Sequence, residues 1–125
     1  MKKPHILIVD DNLLNLELAC DVLELEDFHV TLVDSGEKSI ASAQDNPPDL
    51  ILMDLRMPGM SGLDALHELR KSDRTRDIPI VVLTASVMAG DDERLLAEGF
   101  DGFMQKPITP SSFADEVRAY LKQEI

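Results

Sequence analysis

Leu50-Ile51-Leu52-Met53 is an apolar run with no polar interruption, and it stops abruptly at Asp54. A strand that alternates apolar and polar residues has one wet face, whereas a short continuous run reads as a strand covered on both. The residues that follow leave the sheet at once. Met57-Pro58-Gly59-Met60 suits a type II turn, with Pro fixing φ at the second position and Gly tolerating a positive φ at the third. Ser61, with Asp64 three residues on, reads as a capping box that opens a helix. A doubly covered strand thus delivers one carboxylate to its carboxyl end, where ligands bind in open α/β sheets.

The same unit recurs along the chain. His5-Ile6-Leu7-Ile8-Val9 is a second buried-strand run, and it ends in Asp10-Asp11. Asn12 or Asp11 can cap the next helix, whose apolar stripe is Leu16, Ala19, Cys20 and Leu23. His29 to Val33 is a strand, Ser35 can cap a short helix to about Gln44, and Asn46-Pro47-Pro48 ends it. After the Asp54 strand, a helix is expected from about Gly62 to Lys71 with Leu63, Leu66 and Leu69 inward. Pro79 to Leu83 is a strand ending in Thr84-Ala85-Ser86, and a helix from about Met88 to Glu98 stops at Gly99. Asp101 to Gln105 is a fifth strand, ending in Lys106-Pro107. Thr109-Pro110 opens a last helix with Phe113, Val117, Tyr120 and Leu121 inward. Strands and helices alternate five times with short connections, which calls for a doubly wound parallel α/β sheet with helices on both faces.

A chain of 125 residues accommodates one such domain, over 1–125. Twelve basic against twenty-four acidic residues give a net charge of −12, which repels nucleic-acid phosphates and anionic lipid. Direct binding to nucleic acid or membrane is therefore not expected. Met1-Lys2-Lys3-Pro4 leads directly into a strand, with no signal-peptide pattern, and no run approaches a membrane span. Cys20 is the single cysteine, which excludes an internal disulfide and agrees with a cytoplasmic location. It reads as a core thiol, and His5, His29 and His67 read as ordinary surface or strand residues.

In a parallel sheet all the carboxyl ends lie on one edge, so Asp10, Asp11, Asp54, Thr84 and Lys106 can converge there. Carboxylates crowded into one pocket repel and raise their own pKa values unless a cation joins them. Oxygen ligands without His or Cys point to Mg²⁺ above Zn²⁺ or copper. Lys106 and the Thr84 hydroxyl would suit the oxygens of a phosphoryl group, and a carboxylate beside Mg²⁺ can be the nucleophile that forms an acyl phosphate.

The motifs Ile8-Val9-Asp10-Asp11-Asn12, Leu52-Met53-Asp54-Leu55-Arg56-Met57-Pro58, Leu83-Thr84-Ala85 and Lys106-Pro107 stand in the order and spacing of a known family. The chain resembles, along essentially its whole length, the receiver domain of two-component response regulators. Asn12-Leu13-Leu14-Asn15 and Met88-Ala89-Gly90-Asp91 look closer to DivK-type single-domain regulators and receivers fused to kinases than to chemotaxis-type receivers. The resemblance implies a CheY-like, flavodoxin-like sheet of order 2-1-3-4-5, with Asp54 as phosphoacceptor. It implies that Asp11, Asp54 and the Arg56 carbonyl hold Mg²⁺ directly and Asp10 through water. Thr84 and Lys106 would bind phosphoryl oxygens, Lys106-Pro107 would be a cis peptide, and Phe103 would swing inward after phosphorylation. The implied partners are a histidine kinase or histidine phosphotransfer protein, and an effector read through the fourth helix, fifth strand and fifth helix. Helical spacing and strand alternation nominate Ala89, Asp92, Leu96 and Gln105 on that face. The family acts as a phosphoacceptor that assists its own phosphorylation and dephosphorylation, rather than as an enzyme.

Two departures from the family pattern stand out. Glu26-Asp27-Phe28 occupies a turn that often holds Gly, and Asp visits the left-handed region better than most residues. Arg56, with Ser86 as the matching rim position, suggests slow hydrolysis, since a guanidinium cannot accept a hydrogen bond from water. Two rival readings share the pattern but lack residues they need. A flavodoxin-like electron carrier needs a phosphate-holding loop after the first strand, where this chain has Asp10-Asp11-Asn12. A phosphatase working through an aspartyl phosphate needs a second Asp two residues after the first, where this chain has Arg56.

Overall fold

The computed structural model describes residues 3–84, 91–106 and 108–122, with no account of the side chains of Leu13, Asp91, Asp92 and Lys122. Its elements in chain order are β1 (His5–Val9), α1 (Leu13–Leu25), β2 (His29–Val33), α2 (Gly36–Asp45), β3 (Leu50–Asp54), α3 (Gly62–Lys71), β4 (Ile80–Thr84), α4 (Asp91–Glu98), β5 (Gly102–Gln105) and α5 (Pro110–Lys122). The five strands form one parallel sheet in the order β2-β1-β3-β4-β5, as expected. The central strands β3 and β4 are buried at every position, which is why their sequences are apolar runs up to the terminal Asp54 and Thr84.

Strand alternation sorts the core into two layers. Ile6, Ile8, Leu50, Leu52, Val81 and Leu83 face Leu16, Ala19 and Leu23 of α1 and Phe113 and Val117 of α5. Leu7, Val9, Ile51, Met53, Ile80 and Val82 face Leu66 and Leu69 of α3, Ala43 of α2 and Leu95 of α4. Each fully buried Leu in these layers contributes about 1.5–3 kcal/mol, so the two layers fix the sheet's register and with it the alignment of all strand ends.

Local signals act as the sequence suggests. Asn12 is the cap of α1, its side chain accepting from the Leu14 and Asn15 N–H groups. Ser35 and Ser61 cap α2 and α3, accepting from Lys38 N–H and Asp64 N–H. Gly59 has φ +76°, the value a type II turn requires at its third position. Asp27 takes φ 67°, so the left-handed turn is kept without Gly.

Three expectations are adjusted. Cys20 is half-buried rather than fully core, and burial, then its hydrogen bond to Glu24, pushes the thiol up to about 11. Leu63 is also only half-buried. β5 begins at Gly102; Asp101 N–H still donates to Ile80 O at 2.8 Å, while its Oδ2 accepts from Ile80 N–H at 2.7 Å and from the Arg70 guanidinium at 2.9 Å. His5 and His29 are strand residues, as expected, and are also register partners on β1 and β2, with ring centroids 4.8 Å apart. The expected start of the fourth helix at Met88 lies outside the described residues.

Candidate functional site at the carboxyl edge of the sheet

Asp10 follows β1 directly and is only 1% exposed. Three donors converge on its carboxylate: Asn12 N–H at 2.9 Å, Asn15 Nδ2 at 3.4 Å and Lys106 Nζ at 2.8 Å. Asp11 is exposed beside it, and Asp54, the last residue of β3, is 8% exposed. One carboxylate oxygen from each of Asp10, Asp11 and Asp54 lies within 4.8 Å of the others. Lys106, just past β5, also places Nζ 3.2 Å from Asp54 Oδ2.

Backbone packing holds this edge together. Gly62 presses α3 against the end of β3, donating its N–H to Leu55 O at 2.9 Å. Any Cβ at this position would collide with the Asp54 carbonyl oxygen, so the close approach requires Gly. Thr84 ends β4 and is buried, and its carbonyl accepts from Lys106 N–H at 2.8 Å.

The electrostatics differ in one respect from simple mutual repulsion. Burial is the main force raising the Asp54 pKa, with the Asp10 charge adding to it. The Lys106 charge, its hydrogen bond to Asp54 and the Arg56 backbone N–H pull the other way. Burial also works against the charged form of Lys106, but the hydrogen bond to Asp10 and the charges of Asp54 and Asp10 outweigh it and leave its pKa raised. The cluster is therefore already bridged by one cation from the chain itself.

The donor set fits a hard divalent cation, since three carboxylates converge with no His or Cys among them and Asp11 opens the group to solvent. Asp10 is largely occupied by its three donors, which suits contact through water.

The remaining residues singled out in the sequence fall as follows. The Arg56 side chain is exposed, and its guanidinium has no ion pair or hydrogen bond among the described residues. Phe103 is half-buried on the edge strand β5, packed against the second core layer, and its carbonyl accepts from Tyr120 O–H at 3.2 Å. Leu96 and Gln105 are exposed. Ser86, Ala89 and Pro107, and the side chain of Asp92, lie outside the described residues. Sequence reasoning missed Asn15 and Gly62. Asn15 carried a signal, a second amide three residues after the capping Asn12, on the turn of α1 that faces Asp10.

A parallel 2-1-3-4-5 sheet with an acid-lysine cluster at its carboxyl edge defines a receiver-type module. The chain belongs to the response regulator receiver domain family, whose model matches residues 6–118. It is 35% identical over 116 residues to the polar-differentiation response regulator DivK of Brucella anthropi, covering 93% of this chain and 94% of that protein. DivK of Brucella ovis matches with the same identity and coverage. The receiver domain of a sensor histidine kinase from Pseudomonas aeruginosa PAO1, solved with a magnesium ion in its active-site cleft, superposes with TM-score 0.83. That structure is 33% identical and covers 97% of this chain and 96% of its own. The chemotaxis protein CheY4 of Vibrio cholerae shares the fold, with TM-score 0.88 at 24% identity over 94% of this chain and 98% of that one. The chain is thus a phosphoacceptor signalling domain of the two-component type.

Proposed function

We propose that Asp54 is the residue that accepts the phosphoryl group, in a single receiver domain over 1–125, and that Mg²⁺ assists the transfer. The observation that carries this reading is the convergence of Asp10, Asp11 and Asp54 with Lys106 at the one sheet edge. Asp11, Asp54 and the Arg56 carbonyl would hold the ion directly, and Asp10 through water. When bound, Mg²⁺ offsets the negative charge of the transferring phosphoryl group.

The chain's own residues do the rest. The donor is a phosphohistidine on a histidine kinase or histidine phosphotransfer protein. An Asp54 oxygen attacks the phosphorus, the O–P bond forms as the N–P bond breaks, and the electron pair leaves on the imidazole, which takes up a proton. Lys106 shifts from its carboxylates onto a phosphoryl oxygen, and the Thr84 hydroxyl donates to another. Thr84 moving inward leaves space that Phe103 fills, and the change is read by an effector protein on α4, β5 and α5, where Leu96 and Gln105 are exposed. The domain is changed by the reaction and acts as a switch, not an enzyme. A cytoplasmic location agrees with this chemistry, and no helix among the described residues is long and apolar enough to cross a membrane.

The metal requirement is tested with Asp11→Ala. Asp11 is exposed, so the variant should fold normally yet lose phosphorylation by acetyl phosphate. Mg²⁺-independent labelling of the parent protein would contradict the proposal.

A further inference from the structure

The opposite edge of the sheet carries a pair of adjacent histidines. A cleft of about 1040 Å³ opens there, lined by His5, His29, Asp49, Asp73 and Asp77 among others. His5 and His29 begin adjacent parallel strands in direct register. Their rings are tilted by 44° with centroids 4.8 Å apart. With Zn–N bonds of roughly 2.0–2.1 Å at the tetrahedral angle, two imidazoles on one ion have ring centroids roughly 5.2 Å apart. The observed 4.8 Å is within roughly half an ångström of that value.

The partners of the two rings point the same way. His5 Nε2 lies 2.7 Å from Thr31 Oγ1, on the same strand as His29. With Nε2–H donating to that hydroxyl, the lone pair resides on Nδ1, the arrangement in which ligating histidines are commonly held by a neighbouring oxygen. Neither ring nitrogen of His29 has a hydrogen-bond partner among the described residues. Asp49 stands at the same end of the sheet, its Oδ2 accepting from the His5 backbone N–H at 2.7 Å. Its charge favours a cation, whereas Asp73 and Asp77, which also line the cleft, are already paired with Arg76.

We propose that His5 and His29 form a two-imidazole site for a late first-row divalent ion of the Zn²⁺ class, clamping the first residue of β1 to that of the edge strand β2. Imidazole donors select such ions over Mg²⁺, so this site and the carboxylate cluster discriminate between metals by ligand type. A bound ion stabilises the folded chain by mass action, and the edge strand gains most because β2 has a sheet neighbour on one side only.

The test is titration of the whole chain with zinc chloride in excess Mg²⁺, which keeps the carboxylate cluster occupied by the harder ion. Imidazole proton signals report each histidine separately. The signals of His5 and His29 should shift together at one equivalent, while that of His67, exposed on α3, stays in place. His29→Gln, an exposed change that leaves the fold intact, should weaken Zn²⁺ binding at least about tenfold, and His67→Gln should not. Three results would overturn the site: no shift of the pair at millimolar Zn²⁺, unchanged affinity in His29→Gln, or loss of binding in His67→Gln.

Discussion

Lys106 Nζ lies 2.8 Å from Asp10 Oδ2, nearer than its 3.2 Å contact with Asp54. The lysine is thus anchored by the carboxylate that is not the proposed phosphoacceptor. Asp10 has two further donors, from Asn12 and Asn15, so it acts as a fixed post from which Lys106 reaches the reacting carboxylate.

Removing this cation leaves two buried carboxylates facing each other. Lys106→Ala should destabilise the metal-free protein by about 2–4 kcal/mol, and saturating Mg²⁺ should restore part of the loss. Denaturant unfolding with and without Mg²⁺ measures both effects. Unchanged stability in the variant would show that the ion pair does not hold the edge together.

Asp54 should be a destabilising residue while no metal is bound. Its folded-state pKa is raised, chiefly by burial, so the stability linked to its neutral form is complete below the ordinary carboxylate pKa. That contribution disappears as pH rises through the raised folded-state value. Asp54→Asn should therefore melt higher than the parent at neutral pH, by roughly 1 kcal/mol or a few degrees, and the gap should close toward pH 4. Thermal melts across that range in a chelator decide it; an equal or lower melting temperature for the variant at pH 7 would count against the assignment.

Gly62→Ala probes the contact that seats the phosphoacceptor. The added methyl meets the Asp54 carbonyl oxygen, so helix and strand end must separate. A cost of about 1–3 kcal/mol is expected, together with slower phosphorylation, because Asp54 and the Arg56 carbonyl move with the backbone. If stability falls but the phosphorylation rate holds, α3 does not position the site.

Arg56 should lengthen the phosphorylated state. Its side chain is exposed two residues beyond Asp54, and its guanidinium is uncommitted among the described residues, leaving it free to cover a phosphoryl oxygen. It cannot accept a hydrogen bond from an attacking water. Arg56→Asn should hydrolyse faster by roughly two- to tenfold, about 0.4–1.4 kcal/mol of barrier. Decay of the phosphorylated proteins in excess Mg²⁺ gives the ratio, and equal lifetimes would remove Arg56 from the account.

What could be read from the chain, and what could not, follows from the range of the interactions. Apolar runs ending in Asp10, Asp54 and Thr84 are local patterns, and a parallel sheet converts them into one edge without further information. Caps at Asn12, Ser35 and Ser61 and the left-handed Asp27 are equally local. Arg70 shows the opposite case. Its guanidinium donates to the carbonyls of Arg76, Ile78 and Gly99 and to Asp101, joining α3 to the segments before β4 and before β5. Nothing in its neighbourhood along the chain marks it, because its partners lie up to 31 residues away. The His5–His29 pair was hidden for the same reason, since register between β1 and β2 is a property of the folded sheet.

The switch depends on Asp54 being the phosphoacceptor. The direct measurement is intact-mass and peptide mapping of the chain after incubation with acetyl phosphate and Mg²⁺, beside Asp54→Asn. One phosphoryl group per chain, located on Asp54 and missing from the Asn variant, is the predicted result. Equal incorporation in Asp54→Asn, or a parent protein that stays unmodified with Mg²⁺ bound, would contradict it.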